Sequence, residues 1–231
     1  MTFISEILLA LFLLAALRLA GASRLKHCIA VTACQGTVTA LYPLFVHNWA
    51  EFSHDTNMQM ILLALLTLGV KGFLLPALLV RAMHTAQVKR ELEPLVSYPV
   101  SILLVVLFAC GAFTLCVKYP VAPAGTSVLA APSALIAIFT GLFIIVARKK
   151  AITQSIGFLF FENGITLFGA CMKLEYGFLV EFGILLDVFV LVFVMGIAVF
   201  HISREFEHID ADRLHLLGDT MEPAKQGETA K

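Results

Sequence analysis

An all-α membrane protein of seven spans is what this sequence predicts, and three observations predict it. Sixty per cent of its residues are apolar and only 14% are charged, where a soluble domain carries about 25%. The apolar residues gather into long runs, and a helix rising about 1.5 Å per residue crosses a hydrocarbon core about 30 Å thick in about 20 residues. The basic residues collect in alternate turns between those runs. Lys and Arg number 16, as do Asp and Glu, and no basic patch points to nucleic acid.

The spans fall at roughly 2–19, 28–46, 58–80, 98–117, 127–147, 152–173 and 178–202. After the first, Ala20-Gly21-Ala22-Ser23 resembles a signal-peptide cleavage site. However, Glu6 precedes the run while Arg18, Arg24 and Lys26 follow it, the charge order of an uncleaved anchor with its N-terminus outside. The turns after spans three and five hold Arg81, Lys89 and Arg90, then Arg148, Lys149 and Lys150. The tail holds Arg204, Arg213, Lys225 and Lys231, whereas the intervening turns offer only Lys118 and Lys173. By the positive-inside rule the N-terminus is outside, the C-terminus is cytoplasmic and the number of spans is odd.

Span two carries a polar stripe, Thr32, Gln35, Thr39 and Tyr42, at the spacing of helices glued side by side. In span three, Lys71 is too deep to be an ordinary end-snorkelling lysine; it either fixes helix packing as an ion pair or takes part in ion transfer. Pro76, one turn on, frees a carbonyl near Gly72 and predicts a kink. The cysteines Cys28, Cys34, Cys110, Cys116 and Cys171 all lie in apolar runs and form no C-x-x-C, so they are expected to be reduced packing residues. Residues 84–94 read as a short cytoplasmic amphipathic piece. After Ile202, a stripe of Phe206, Ile209 and Leu216 continues among acids, before a polar tail from Asp219.

The acids within the last two spans carry the chemistry. Measured from the basic flank 148–150, Glu162 lies roughly 17 Å deep, near the midplane. The runs turn back near residues 173–177, which brings Asp187 to a similar depth on the return span. A carboxyl in lipid costs several kcal/mol unless it faces protein or water, so each is a site hypothesis by default. Ser155, Glu162, Thr166 and Gly169 share one face of their helix, and Gly183 lies one turn from Asp187. Glu181, close to the outer end of its span, is either an interfacial acid in water or part of the exit. His201 at the cytoplasmic end either caps carbonyls or relays protons. A retinal protein would need a deep lysine in the last span, and Asp187 stands there instead; a carrier would show internal repeats, and none is clear.

The run Ala147-Arg148-Lys149-Lys150-Ala151-Ile152 is followed by Ile156-Gly157-Phe158-Leu159-Phe160-Phe161-Glu162-Asn163-Gly164. Then comes Val180-Glu181-Phe182-Gly183-Ile184-Leu185-Leu186-Asp187. Together these resemble component E of hydrogenase-4, a longer relative of the K-type subunit of respiratory complex I and of the C-type subunit of multisubunit sodium/proton antiporters. The resemblance to the hydrogenase component spans nearly the whole chain, including Lys71 with Pro76; that to the K-type subunit covers about 127–202. In K-type subunits two intramembrane glutamates on consecutive helices belong to the proton route. Glu162 matches the first, and Asp187 stands at the second.

The resemblance implies an inner-membrane subunit lying between antiporter-like subunits and the membrane anchor of a nickel–iron hydrogenase-like or related redox arm. Residues 1–126 would form a four-helix region, 127–202 a K-type-like proton module and 203–231 a cytoplasmic tail. Protons would pass through Glu162 and Asp187, with Lys71 as electrostatic partner and Glu181 near the exit. A carboxyl suits this task because a moving lysine could load and unload it. The chain offers no ligand cluster for metal, flavin or haem, so no cofactor is expected in this subunit. The alternatives are the same architecture in a cation/proton antiporter, and a passive scaffold whose charges lock helices together.

Overall fold

The computed structural model describes residues 3–46, 54–85, 95–119 and 126–172, with Gly183 and Gly196 as isolated helical positions. Every element among them is a helix: α1 (Phe3–Gly21), α2 (Leu25–Val46), α3 (His54–Thr67), a π-helical segment (Leu68–Leu74), α4 (Leu75–Thr85), α5 (Tyr98–Lys118), α6 (Ala130–Ala147) and α7 (Ala151–Cys171). Five helices are long and apolar enough to cross a membrane: α1, α2, the continuous rod Met58–His84, α5 and α6. At 21 residues α7 is also long enough, at about 31 Å. It is not among the five, because its sequence carries Gln154, Glu162 and Asn163. The seventh expected span, 178–202, lies outside the described residues apart from those two glycines.

The layout follows from which faces can meet. α6 and α7 turn back on each other through Arg148-Lys149-Lys150, with both caps in extended backbone. Gly141 of α6 makes that approach possible: a Cβ there would stand 2.6 Å from Cα and Cβ of Phe161. Gly157 and Gly164 of α7 repeat the device against Ile144 and Ile138. Small residues are what let helices close up where no water drives them together. α1 packs on α2, α5 and α6; α2 packs on α7 and on the whole α3–π–α4 rod. No residue described in α7 is exposed, so the helix that carries Glu162 and Asn163 is enclosed by the bundle.

Polarity is arranged inside out. Leu62, Phe73, Leu103 and Leu107 project from the bundle, each more than 60% exposed, while Gln35, Thr140 and Ser133 are essentially inaccessible. Such an apolar exterior suits lipid. Several inward hydroxyls bond to their own helix: Thr32 donates to the Cys28 carbonyl at 3.0 Å, Thr39 to the Gln35 carbonyl at 2.9 Å and Ser155 to the Ala151 carbonyl at 2.9 Å. All four members of the α2 stripe are buried. The cysteines divide: none of the five is in a disulfide, but only Cys28 and Cys171 are buried, while Cys34 and Cys110 face outward. The packing expectation therefore fails for Cys34 and Cys110, because an apolar run supplies the lipid face as well as the core.

Arg148 is the largest departure from the sequence reading, which placed it in a turn as one base among three. It is 2% exposed. Its guanidinium donates to the carbonyls of Ala20 at 3.2 Å and Val96 at 3.4 Å, and lies 4.6 Å from the centre of the Tyr98 ring. Leu95 N–H donates to the Ala147 carbonyl, and Gln154 to the Arg148 carbonyl. One side chain thus ties the end of α1, the start of α5 and the α6–α7 turn into one end of the bundle.

Gly141→Ala should separate α6 from α7 and lower thermal stability in detergent by about 1–3 kcal/mol, the range for overpacking against atoms that cannot move. Gly69→Ala is the control: a methyl there meets nothing within 4 Å and should be harmless. Equal melting temperatures for the two variants would contradict this account of the α6–α7 contact.

Candidate functional site

Lys71 sits halfway along its rod, with 13 residues back to Met58 (71 − 58) and 13 on to His84 (84 − 71). The helix there is π, and Leu75 N–H donates to the Val70 carbonyl, a bond spanning five residues. Pro76 explains why: it has no N–H, and its ring crowds the carbonyl one turn back. The expected distortion is taken up as a widened turn, and such turns recur at functional sites. The extra residue in the turn shifts the register of the side chains that follow.

Lys71 and Glu162, 91 residues apart, are in direct contact. Lys71 Nζ donates to Glu162 Oε1 at 2.7 Å, with the side chains 5% and 1% exposed. Glu162 is also near the middle of its helix, 11 residues after Ala151 (162 − 151) and nine before Cys171 (171 − 162). Lys71 Nζ lies 3.4 Å from Thr166 Oγ1, and that hydroxyl donates to the Glu162 carbonyl at 3.0 Å. α2 closes the group from the third side. Gly36 packs so tightly on the π segment that a Cβ there would stand 3.0 Å from Lys71 Cβ and carbonyl oxygen. The preceding residue, Gln35, accepts a hydrogen bond from Asn163 Nδ2 at 3.2 Å.

Chemically this is a titratable carboxyl facing an ammonium group, enclosed by helix and neutral as a pair. Among the described residues, no three His, Cys, Asp or Glu side chains come together to hold a metal. Of the acids singled out in the sequence, Glu162 is in the group; Asp187 and Glu181, like His201, lie outside the described residues. Asn163 was not singled out, although its place directly after an intramembrane glutamate was a usable signal. The Gln35–Asn163 pairing had none, because 128 residues separate the partners.

The fold and this group define an all-helical protein with a buried lysine–glutamate pair between helices of membrane-crossing length. No family model matches the chain, and no solved structure matches it. It is similar to "Uncharacterized protein Rv0085" of Mycobacterium tuberculosis, at 29% identity over 196 residues covering 84% of this chain and 87% of that protein.

Removing one partner of a buried ion pair leaves the other charge without compensation, at about 3–5 kcal/mol, whereas replacing both is often neutral. Lys71→Met and Glu162→Leu should each destabilise the protein by about that amount, and the double variant should recover most of the loss. A double-mutant cycle of thermal stability in detergent measures this; additive losses would mean that the two charges do not depend on each other.

Proposed function

We propose that this chain is an inner-membrane subunit of a complex I-like hydrogenase of the hydrogenase-4 type, contributing to proton translocation through Glu162. One observation carries the reading: the 2.7 Å Lys71–Glu162 contact, midway along two helices and shielded from solvent. A carboxylate there is neutralised either by the lysine or by a proton. Movement of Lys71 away from Glu162 would draw a proton onto the carboxyl, and its return would release it. Redox energy spent elsewhere in the complex would drive that movement. Asp187 and Glu181 are the further carboxyls of the proposed route, and antiporter-like subunits and a hydrogenase-like membrane anchor are the proposed partners.

The proposed topology has seven spans with the N-terminus outside. Its support is the gathering at Arg148: the turns after α1, before α5 and between α6 and α7 meet at one end of the bundle. Two of these turns, after α1 and between α6 and α7, carry Arg24, Lys149 and Lys150, a basic end that belongs on the cytoplasmic side. Single cysteines introduced in residues 47–57 should label from outside in intact cells, and those in 84–93 should not. Label reaching the second set would reverse the orientation.

Glu162→Gln keeps shape and hydrogen-bonding capacity but removes the titrating proton. Vesicles with matched complex content and electron-transfer rate should therefore form a smaller pH gradient, and Asp187→Asn should act in the same direction. Normal pumping by Glu162→Gln would leave a structural role for the pair. Subunits that co-purify with the chain separate a hydrogenase from a cation/proton antiporter.

A further inference from the structure

Beside the ion pair lies a polar cross-link with an incomplete set of hydrogen bonds. Asn163 Nδ2 donates to Gln35 Oε1 at 3.2 Å, and the two residues are 2% and 0% exposed. Two primary amides set side by side can exchange a pair of such bonds, but here only one is made. Gln35 Nε2, a donor, and Asn163 Oδ1, an acceptor, have no partner among the described residues. Buried polar groups are nearly always hydrogen-bonded, because an unmade bond leaves the cost of desolvation uncompensated. An orphan donor next to an orphan acceptor calls for a small molecule that accepts one bond and donates another. Water does both, and buried water is found bridging groups of this kind.

We propose that Gln35 and Asn163 hold one buried water between α2 and α7, and that this water is the first proton carrier beyond Glu162. The water accepts from Gln35 Nε2 and donates to Asn163 Oδ1. The second half of the proposal rests on the proton-translocation reading above; the first half does not. Both amides belong to residues next in the chain to the ion-pair group: Asn163 follows Glu162 on α7, and Gln35 precedes Gly36, which packs on Lys71. Amides suit the task because they do not titrate and add no charge to the bundle interior. In the transfer, a lone pair of the water takes the proton of the Glu162 carboxyl, leaving the carboxylate. The water then passes a proton from one of its own O–H bonds to a further water, so no electrons change hands. Gln35 and Asn163 act as positioning residues.

The first test needs no variant: water-edited nuclear magnetic resonance of the full-length chain in lipid bilayers, with isotope-labelled glutamine. Magnetisation should pass from water to the Gln35 side-chain amide although the residue is completely buried, with Gln35→Leu assigning the signal. A Gln35 amide that receives none overturns the site. The second test is the Gln35→Leu/Asn163→Leu double variant in the assembled complex. It removes both amides together and so leaves no polar group stranded. Complex content should hold while proton movement per electron falls by roughly tenfold or more, the loss of a positioned proton-transfer group being worth about 10²–10⁴-fold; undiminished movement overturns the relay. If the double variant fails to assemble, the magnetic resonance result still decides the site. Normal pumping by Glu162→Gln would sink the proton reading itself, whereas a dry Gln35 beside a pumping defect in Glu162→Gln sinks only the water site.

Discussion

The contact between Lys71 and Glu162 is the constraint that the rest of the bundle answers to. Two charges midway along helices of membrane-crossing length persist only if they face each other and are enclosed by protein. Enclosure requires α7 to be central, and no residue described in α7 is exposed. It requires α2 to come close, which Gly36 allows by lying flat on the Lys71 backbone. It also requires α6 to cover the remaining side of α7, which Gly141 allows against Phe161. Lys71 lies within the π turn, Leu68–Leu74, on the side of the rod that meets Glu162.

The molecule buries a second cation by a different means, and the difference follows from depth. Arg148 lies where helices end. The Ala20 carbonyl belongs to the last turn of α1, where carbonyls lack helical partners and the helix dipole is negative. Those carbonyls and the face of Tyr98 accommodate the guanidinium. Midway along a helix nearly every carbonyl is used by the turn that follows, the one that Pro76 frees near Gly72 being an exception. A cation at the depth of Lys71 therefore has to bring its own carboxylate, and Glu162 is that carboxylate.

What was legible in the sequence was what depends on chain order and depth. Helix positions follow from apolar run length, and the described helices begin and end close to the first six of the runs; Lys71 and Glu162 stand out because ionisable residues are scarce in such runs. The inward face of α2 was legible too, since Thr32, Gln35, Thr39 and Tyr42 repeat at helical spacing. Contacts between distant segments were not. Gln35 and Asn163 each look like ordinary polar punctuation until two helices are brought together. The burial of Arg148 was hidden because the positive-inside rule already accounted for a base at that point. The π turn was hidden because Pro76 announces a distortion without specifying whether the helix bends or widens.

The choice between a scaffold and a conductor turns on whether the ion pair is needed as glue. α6 and α7 are already held by their glycine-lined contact, and α2 and α7 by the Gln35–Asn163 amides, which carry no charge. Neither contact needs an ammonium or a carboxylate. A buried ion pair, by contrast, is a poor source of net stability, because desolvation offsets most of its Coulomb attraction and an apolar pair of similar volume often serves as well. What an apolar or amide pair cannot do is change its protonation. Placing that capacity in a helix interior already held together by neutral contacts favours Glu162 as a carrier of protons over Glu162 as a clamp.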